Sequence, residues 1–179
     1  MDYLNENNEI DFDDMLIKAT EEVNKKYTDK IKYIIIDEYQ DTSYVRFNLI
    51  KAIIDKTNAK LMVVGDDFQS IYRFTGCDLD LFNNFHKYFK DSKILKISNT
   101  YRNSNELIKI AGKFIMKNKY QIHKNLKSLK HIDKPIVVVR YKNKKDLKKL
   151  ILKIYQKNKK ILILGRNNND INSYLDNEF

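Results

Sequence analysis

The sequence of 179 residues is poor in cysteine, proline, glycine and tryptophan: it contains one, one, four and none of them. The single cysteine, Cys77, excludes an internal disulfide, and the three scattered histidines lack the spacing of a zinc site. The apolar runs are far shorter than the roughly 20 residues of a membrane span. The polar, acidic beginning is unlike a signal or transit peptide. We therefore expect a soluble, cytoplasmic protein of a reducing compartment.

The chain has enough apolar residues to fold. Hydrophobic residues make up 42% and aromatic residues 12% of the sequence, which argues against wholesale disorder. At about 150 residues per domain, the length corresponds to one large domain or two small ones.

The positive charge is concentrated in residues 113–160. This stretch holds 17 of the 34 Lys and Arg residues and only two acids, so its net charge is 17 − 2 = +15 and that of the rest is 17 − 22 = −5. Such a stretch attracts phosphate backbones by counterion release. A strong preference for Lys over Arg is also typical of an AT-rich genome and a solvated face, so both interpretations stay open.

Short apolar runs alternate with helical patterns in the first part of the chain. The predicted strands are residues 33–36, 61–64 and 94–97. The predicted helices run from residue 11 to about residue 24, over 45–57, and near 79–88. This alternation predicts an α/β protein with a parallel sheet and right-handed crossovers.

The pattern starts again after the polar segment 98–103. Helices are predicted from residue 104 to about 116 and over 144–156, and strands at 136–139 and 161–164. We therefore predict two α/β units, residues 1–99 and residues 100–179.

Carboxylates follow the first predicted strand directly. Asp37 and Glu38 come straight after Ile36, and ligands of open α/β sheets bind beyond the carboxyl ends of the strands. In phosphate-binding ATPases, an acid at this position holds Mg²⁺ and the next acid orients or deprotonates the attacking water. Two acids after a strand are equally compatible with a helix cap and solvated neighbours.

The segment that follows the second strand, residues 65–76, is too polar and aromatic for an ordinary loop. Gln69 has an amide that can hydrogen-bond a terminal phosphate. If the backbone from Tyr72 to Phe74 is extended, these two rings lie on one side with Arg73 opposite. They would then form a stacking platform for unpaired bases, at roughly 1–3 kcal/mol per base. The alternative is that the rings belong to the core.

Three segments together resemble successive motifs of the UvrD/Rep/PcrA family of superfamily 1 DNA helicases, which translocate 3′ to 5′ on single strands. They are residues 37–41 (Asp-Glu-Tyr-Gln-Asp), 65–76 and 100–104 (Thr-Tyr-Arg-Asn-Ser), and residues 10–16 agree as well. The match spans most of the chain. It implies a RecA-like, P-loop NTPase type of fold in two partial units, the later part of the first RecA-like domain and the beginning of the second.

The resemblance also implies roles in ATP hydrolysis. By this likeness, Asp37 binds Mg²⁺ through water and Glu38 is the catalytic base. Gln69 matches the glutamine that senses the γ-phosphate, and Tyr101 matches the tyrosine that packs on adenine. Arg102 matches an arginine finger that reaches the γ-phosphate across the interdomain cleft.

Contacts with single-stranded DNA are implied by the same likeness. Tyr72 and Phe74 match the aromatic residues that stack on bases. Arg166 and Asn168 resemble a later motif that contacts DNA, although this match is short and a helix C-terminal turn explains it as well. Thr75 departs from the family, in which arginine is usual.

A phosphate-binding loop of the form G-x-x-x-x-G-K-[ST] is absent from the sequence, and so are the later family motifs. This loop supplies the backbone cradle for the phosphates, a lysine and a Mg²⁺ ligand. The resemblance therefore implies a section of an ATP-dependent helicase of DNA repair or replication. We expect this section to be inactive alone, or to be one subunit of a split helicase whose partner chain supplies the loop.

Two other functions remain as alternatives. The chain would be a non-catalytic remnant if it only binds single-stranded DNA through Tyr72, Phe74 and the lysine-rich stretch. A metal-dependent nuclease would use the acids Asp37, Glu38, Asp66 and Asp67. That alternative explains neither Gln69 nor the Tyr101-Arg102 pair.

Overall fold

The computed structural model of the chain describes residues 7, 9–27, 30–156 and 160–167. It forms two compact units, Met1–Ile132 and Asp133–Phe179. The first contains α1 (Phe12–Lys26), β1 (Tyr33–Ile36), α2 (Tyr44–Thr57), β2 (Lys60–Val63), α3 (Asp80–Asn83), α4 (Phe85–Tyr88) and α5 (Asn105–Ile115). The second contains α6 (Lys144–Tyr155). The domain boundary expected at residues 99/100 stays a prediction, because compact units and family domains need not coincide.

Side-chain caps start the long helices where the sequence predicts them. Asp11 and Asp14 form a capping box at the start of α1, with the Asp14 backbone N–H donating to Asp11 Oδ1 at 2.8 Å. Ser43, Ser104 and Asn143 cap α2, α5 and α6. These oxygens satisfy amide groups that have no partner within the helix. Helix α1 packs against α2.

The sheet consists of two parallel strands. Tyr33 pairs with Lys60 and Ile35 with Met62, and the alternate pairs on the opposite face are half-buried. The side chains of Tyr33, Ile35 and Met62 are exposed, so one face of the sheet is open to solvent. The predicted α/β class is confirmed. A sheet of two strands does not establish the RecA-like fold, which stays a prediction.

Three strand predictions are wrong. Residues 94–97, 136–139 and 161–164 form no strand, and most of their large apolar side chains are well exposed. A strand requires a neighbour that pairs with its backbone N–H and C=O groups. Within the described ranges, β1 and β2 form the one sheet, and they pair only with each other. Apolar patterning indicates a tendency to extend, but it does not supply that neighbour.

An aromatic cluster forms the core beside the sheet. Phe47 of α2 packs edge-on against Tyr88 and Phe89, with ring centroids 5.2 Å and 6.1 Å away. Tyr39, which follows β1, packs edge-on against Phe85 at 5.7 Å. The predicted helix near residues 79–88 forms as the two short helices α3 and α4. The cluster joins these helices to α2 and to the end of β1.

The single cysteine lies in this core. Cys77 is buried, and its thiol donates to the carbonyl of Asp41 at 2.9 Å. The Asp78 backbone N–H donates to the carbonyl of Thr42 at 3.0 Å, so the chain after residue 76 lies against the turn that follows β1. Among the described helices, none has the length and apolar character to cross a membrane.

Replacing Phe47 with Ala should lower the free energy of unfolding by about 3 kcal/mol or more, because the change leaves a cavity beside the rings of Tyr88 and Phe89. Phe114→Ala is the matched control, since Phe114 is 73% exposed and Phe47 is 7% exposed. The control should change stability by less than about 0.5 kcal/mol. Urea denaturation followed by circular dichroism measures both; equal effects would contradict this description of the core.

Candidate functional site

The carboxyl ends of β1 and β2 are joined beyond the last residues of the strands. The Val64 backbone N–H donates to the carbonyl of Ile36 at 2.8 Å, and the Tyr39 N–H donates to the carbonyl of Val64 at 2.9 Å. These bonds place the acidic segment after β1 beside the glycine that follows Val64. The two polar segments expected at the mouth of the sheet therefore lie next to each other.

Glu38 lies in a strained turn directly after β1. Its φ of 51° and ψ of 41° are left-handed, which costs a residue with a side chain about 1–2 kcal/mol. Hydrogen bonds hold this conformation: the Glu38 backbone N–H donates to Asp37 Oδ1 at 2.9 Å, and the Asp41 N–H donates to the Glu38 carbonyl at 3.0 Å. The side chains of Asp37 and Glu38 are both exposed. Both carboxylates are therefore accessible to a ligand.

A buried glutamine connects Glu38 to the segment after β2. Gln40 is only 1% exposed. Its amide nitrogen donates to Glu38 Oε2 at 2.8 Å, and its Oε1 accepts the Asp66 backbone N–H at 2.9 Å. Gly65 makes room for this bridge, since a Cβ there would lie 2.6 Å from Gln40 Oε1 and 2.7 Å from a Phe82 ring carbon.

Asp66 continues this connection to Gln69. Its Oδ2 accepts the Gln69 side-chain amide at 2.9 Å, its Oδ1 accepts the Phe68 backbone N–H at 3.1 Å, and it pairs with Lys124. The structure thus links Glu38 and Gln69 through Gln40 and Asp66. Sequence reasoning missed the bridging roles of Gln40 and Lys124. Gln40 lies within a recognised motif, whereas nothing in the sequence marks Lys124 among its many lysine neighbours.

The pKa of Asp66 is lowered in this setting. Partial burial alone would raise it, but hydrogen bonds from Lys124 and Gln69, the charge of Lys124 and the Phe68 N–H outweigh that effect. A lowered pKa in the folded state means that ionised Asp66 stabilises the fold above about pH 4. That contribution is lost as the pH falls through the folded-state pKa.

Asp67 is buried and paired. It forms an ion pair with Lys124, and its Oδ2 accepts the Ile122 backbone N–H at 2.6 Å. Lys124 therefore occupies both acids that a nuclease would need beside Asp37 and Glu38. In the described ranges, no group of three or more His, Cys, Asp or Glu side chains is arranged to hold a metal ion.

Asp37 alone can still serve a hydrated Mg²⁺. Its Oδ1 accepts the Glu38 N–H, and its Oδ2 has no protein partner within the described part of the chain. Mg²⁺ keeps several waters and binds proteins through only one or two carboxylates. One free, exposed carboxylate oxygen fits that requirement.

The aromatic pair is exposed, but the backbone differs from the expected extended form. Residues Arg73–Thr75 form a 3-10 turn, which Gly76 ends with a φ of 83°. The Thr75 N–H and hydroxyl both bond to the Tyr72 carbonyl, at 3.0 Å and 2.8 Å, and this local bonding overrides extension. The rings of Tyr72 and Phe74 nevertheless lie 6.1 Å apart, and Phe74 is 83% exposed.

Tyr101 lines an open cavity of about 540 Å³, together with Asn105, Lys109, Lys127 and His131 among others. The cavity is bordered by the stretch after α5, where the Thr100 N–H donates to the Lys127 carbonyl at 2.9 Å. A planar ring beside amide and cationic side chains is suited to an aromatic, anionic ligand.

Arg102 is exposed next to Tyr101. No hydrogen bond or ion pair connects its side chain to Glu38 or Gln69 in the part of the chain that the structure describes. Arg166 is exposed in the second unit, and Asn168 lies outside the described residues. The structure therefore brings together Glu38 and Gln69, and does not bring Arg102 into contact with them.

Comparisons with known proteins agree with the sequence motifs. A family model described as the UvrD/REP helicase N-terminal domain matches residues 1–90. The chain is 33% identical over 153 residues to a probable DNA helicase II homolog of Mycoplasma capricolum. It is 31% identical over 156 residues to the ATP-dependent DNA helicase Rep of Buchnera aphidicola, and 34% over 163 to DNA helicase IV of Escherichia coli.

These alignments cover most of this chain but a small part of each relative. They include 82%, 84% and 89% of the chain, and 19%, 23% and 24% of the respective relatives. The chain therefore spans about a fifth to a quarter of the length of these proteins.

The Gln40 bridge predicts a difference between two glycines. Gly65→Ala should lower the free energy of unfolding by about 1–3 kcal/mol, because the added methyl group collides with Gln40 and Phe82. Gly112→Ala in α5 meets nothing within 4 Å and should raise it by about 0.5–1 kcal/mol. Urea titrations of both variants check this; a neutral Gly65→Ala would show that the close approach is absent.

Proposed function

Because this chain belongs to the UvrD/Rep helicase family, we propose that it is a section of an ATP-dependent DNA helicase that moves 3′ to 5′ along single-stranded DNA. The observation that carries the proposal is the hydrogen-bonded connection from Glu38 through Gln40 and Asp66 to Gln69. It joins a candidate catalytic base to a candidate phosphate sensor at the carboxyl end of a parallel pair of strands, where α/β proteins bind nucleotides.

Three residues of this site act on ATP in the proposed mechanism. Glu38 accepts a proton from the water that attacks the γ-phosphate, and Gln69 hydrogen-bonds that phosphate. Asp37 holds Mg²⁺, which when bound neutralises phosphate charge. The exposed carboxylates and the fixed turn at Glu38 support these roles, since a general base must be accessible and held in one orientation.

Tyr101 and Arg102 complete the nucleotide site in this proposal. Tyr101 packs on the adenine, and its position at an open cavity supports that role. Arg102 acts as an arginine finger across the cleft between two RecA-like domains. Its exposed side chain is free to move to the γ-phosphate when the cleft closes.

Single-stranded DNA is the proposed second ligand. Tyr72 and Phe74 stack on its bases, supported by their exposure and the 6.1 Å separation of their rings. Arg166 and Asn168 add contacts to the strand. The phosphate-binding loop comes from other residues of a longer protein or from a partner chain, and the activity serves DNA repair or replication.

The nucleotide roles can be tested in a chimera with the E. coli Rep helicase, which is 35% identical to this chain over 125 residues. With its corresponding section replaced by this one, Rep should retain ATP hydrolysis stimulated by single-stranded DNA. Glu38→Gln in the chimera should lower kcat by about 100-fold or more, because the general base is lost. Steady-state phosphate release measures the rates.

Glu21→Gln, at an exposed acid of α1, is the matched control and should leave kcat unchanged. The isolated chain should show no turnover above background, with or without DNA. A folded chimera that hydrolyses no ATP would contradict the proposal, and so would Glu38-dependent turnover by the isolated chain.

Binding of single-stranded DNA by the chain alone is the second test. Fluorescence anisotropy of a labelled oligonucleotide should show salt-dependent binding. Phe74→Ala should weaken it by about 5- to 150-fold, equivalent to one lost stacking contact of 1–3 kcal/mol. Phe114→Ala, which removes another exposed ring, should have no such effect.

The non-catalytic remnant is the second candidate function, and the exposed Tyr72–Phe74 pair favours it. Phe74-dependent DNA binding together with an inactive, folded chimera would establish that alternative. Absence of DNA binding at every salt concentration would contradict both functions.

A further inference from the structure

The stretch that follows α5 is tied to the loop that carries Gln69. The Lys124 ammonium group pairs with both Asp66 and Asp67, and its side chain is only 16% exposed. It also lies 4.4 Å from the centre of the Phe68 ring, a cation–π distance. Two more hydrogen bonds hold the same stretch. The Ile122 N–H donates to Asp67 Oδ2 at 2.6 Å, and the Asn83 side-chain amide donates to the Tyr120 carbonyl at 3.0 Å.

We propose that Lys124 is a positioning residue for Gln69, which it orients by holding Asp66. The meaning of that orientation for ATP hydrolysis rests on the proposed function. Asp66 Oδ2 accepts the Gln69 amide at 2.9 Å. Among the described residues, no other group bonds to the Gln69 side chain. The direction of Gln69 therefore depends on where Asp66 points.

Electrostatics explain why Asp66 points inward. Asp66 and Asp67 are adjacent carboxylates, and like charges at this distance repel each other. Asp67 is completely buried, whereas the side chain of Asp66 is 35% exposed. Without its ion pair to Lys124, the partly buried charge of Asp66 regains hydration by turning to solvent, even when Asp67 is neutral. The ion pair holds Oδ1 of Asp66 and leaves Oδ2 available to Gln69.

The same stretch also reaches the segment that contains Tyr101 and Arg102. The Lys127 N–H donates to the Ser98 carbonyl at 2.8 Å, and the Asn105 N–H donates to the Lys130 carbonyl at 2.8 Å. His131 Nδ1 lies 2.7 Å from Glu106 Oε1. The Ile132 N–H and then His131 lower the pKa of Glu106 to about 2. The stretch that carries Lys124 is therefore hydrogen-bonded on both sides of the Tyr101–Arg102 segment.

The test observes the side-chain amide of Gln69 by ¹H–¹⁵N NMR in the full chain, without nucleotide or DNA. Gln69→Glu identifies the two resonances by their loss. Lys124→Met alone leaves Asp67 buried without a cation and risks unfolding. The informative variant therefore combines Lys124→Met with Asp67→Asn, which removes the buried charge but still leaves Asp66 without Lys124.

In the double variant, the Gln69 resonances should shift to the positions of a solvent-exposed glutamine amide. The Gln69 resonances should also respond to the ionisation of Asp66, at a pH midpoint that lies below the ordinary aspartate pKa in the native chain. In the double variant this midpoint should rise towards or above the ordinary value, because Lys124 no longer lowers the pKa of Asp66. The other titratable and charged groups around Asp66 are Asp67, which is neutralised in this variant, and Glu38, whose contact runs through Gln40. Asp67→Asn alone and Lys124→Arg should both keep the native resonances.

Native Gln69 resonances and an unchanged midpoint in the folded double variant would overturn the proposal. If that variant does not fold, Lys124→Gln with Asp67→Asn replaces it, because two amides can still hydrogen-bond each other, and the same criteria apply. The result is independent of the proposed function: Gln69 can depend on Lys124 in a chain that neither hydrolyses ATP nor binds DNA.

Discussion

The side-chain amide of Gln40 joins the two polar segments at the mouth of the sheet, and the geometry of the candidate site depends on it. The amide nitrogen of Gln40 donates to the Glu38 carboxylate, and its amide oxygen accepts the Asp66 backbone N–H. The group is buried, so an unmet hydrogen bond on either side would cost about 1–3 kcal/mol. The bridge requires Gly65, because any side chain there would occupy its place. A glycine after an apolar strand is thus explained by a contact with the neighbouring turn.

The sequence predicts local structure well wherever the signal is local. Helices are present close to the starts predicted at residues 11, 45 and 104, and the side chains of Asp11, Ser43 and Ser104 each bond within the next turn. Strands β1 and β2 pair as parallel neighbours, as alternation with helices predicts. Residues 94–97 have an equally good apolar pattern but no strand to pair with. Pairing is a property of the whole fold, which a run of residues cannot specify.

In the candidate site, too, the features marked by local motifs are predictable and those set by contacts with other segments are not. Glu38 and Gln69 are marked by their motifs, and their approach follows from strand direction. The left-handed backbone at Glu38 is held by the Asp37 carboxylate and by the Asp41 N–H, and the 3-10 turn after Tyr72 is held by bonds to the Tyr72 carbonyl. Strand periodicity in the sequence does not encode these bonds. The role of Lys124 cannot be predicted from composition. Its stretch is rich in lysine, and nothing in the sequence distinguishes the lysine that pairs with two acids from its neighbours. Charge patterning alone assigns it to a solvated or DNA-facing surface.

The burial of Cys77 has a practical consequence. It is the only thiol in the sequence, it is shielded in the core, and its proton is engaged by the Asp41 carbonyl. Fluorophores that react with thiols would therefore attach selectively to cysteines engineered at exposed positions, with no need to remove the native residue. One such cysteine in each compact unit would allow their separation to be followed by energy transfer as ligands are added.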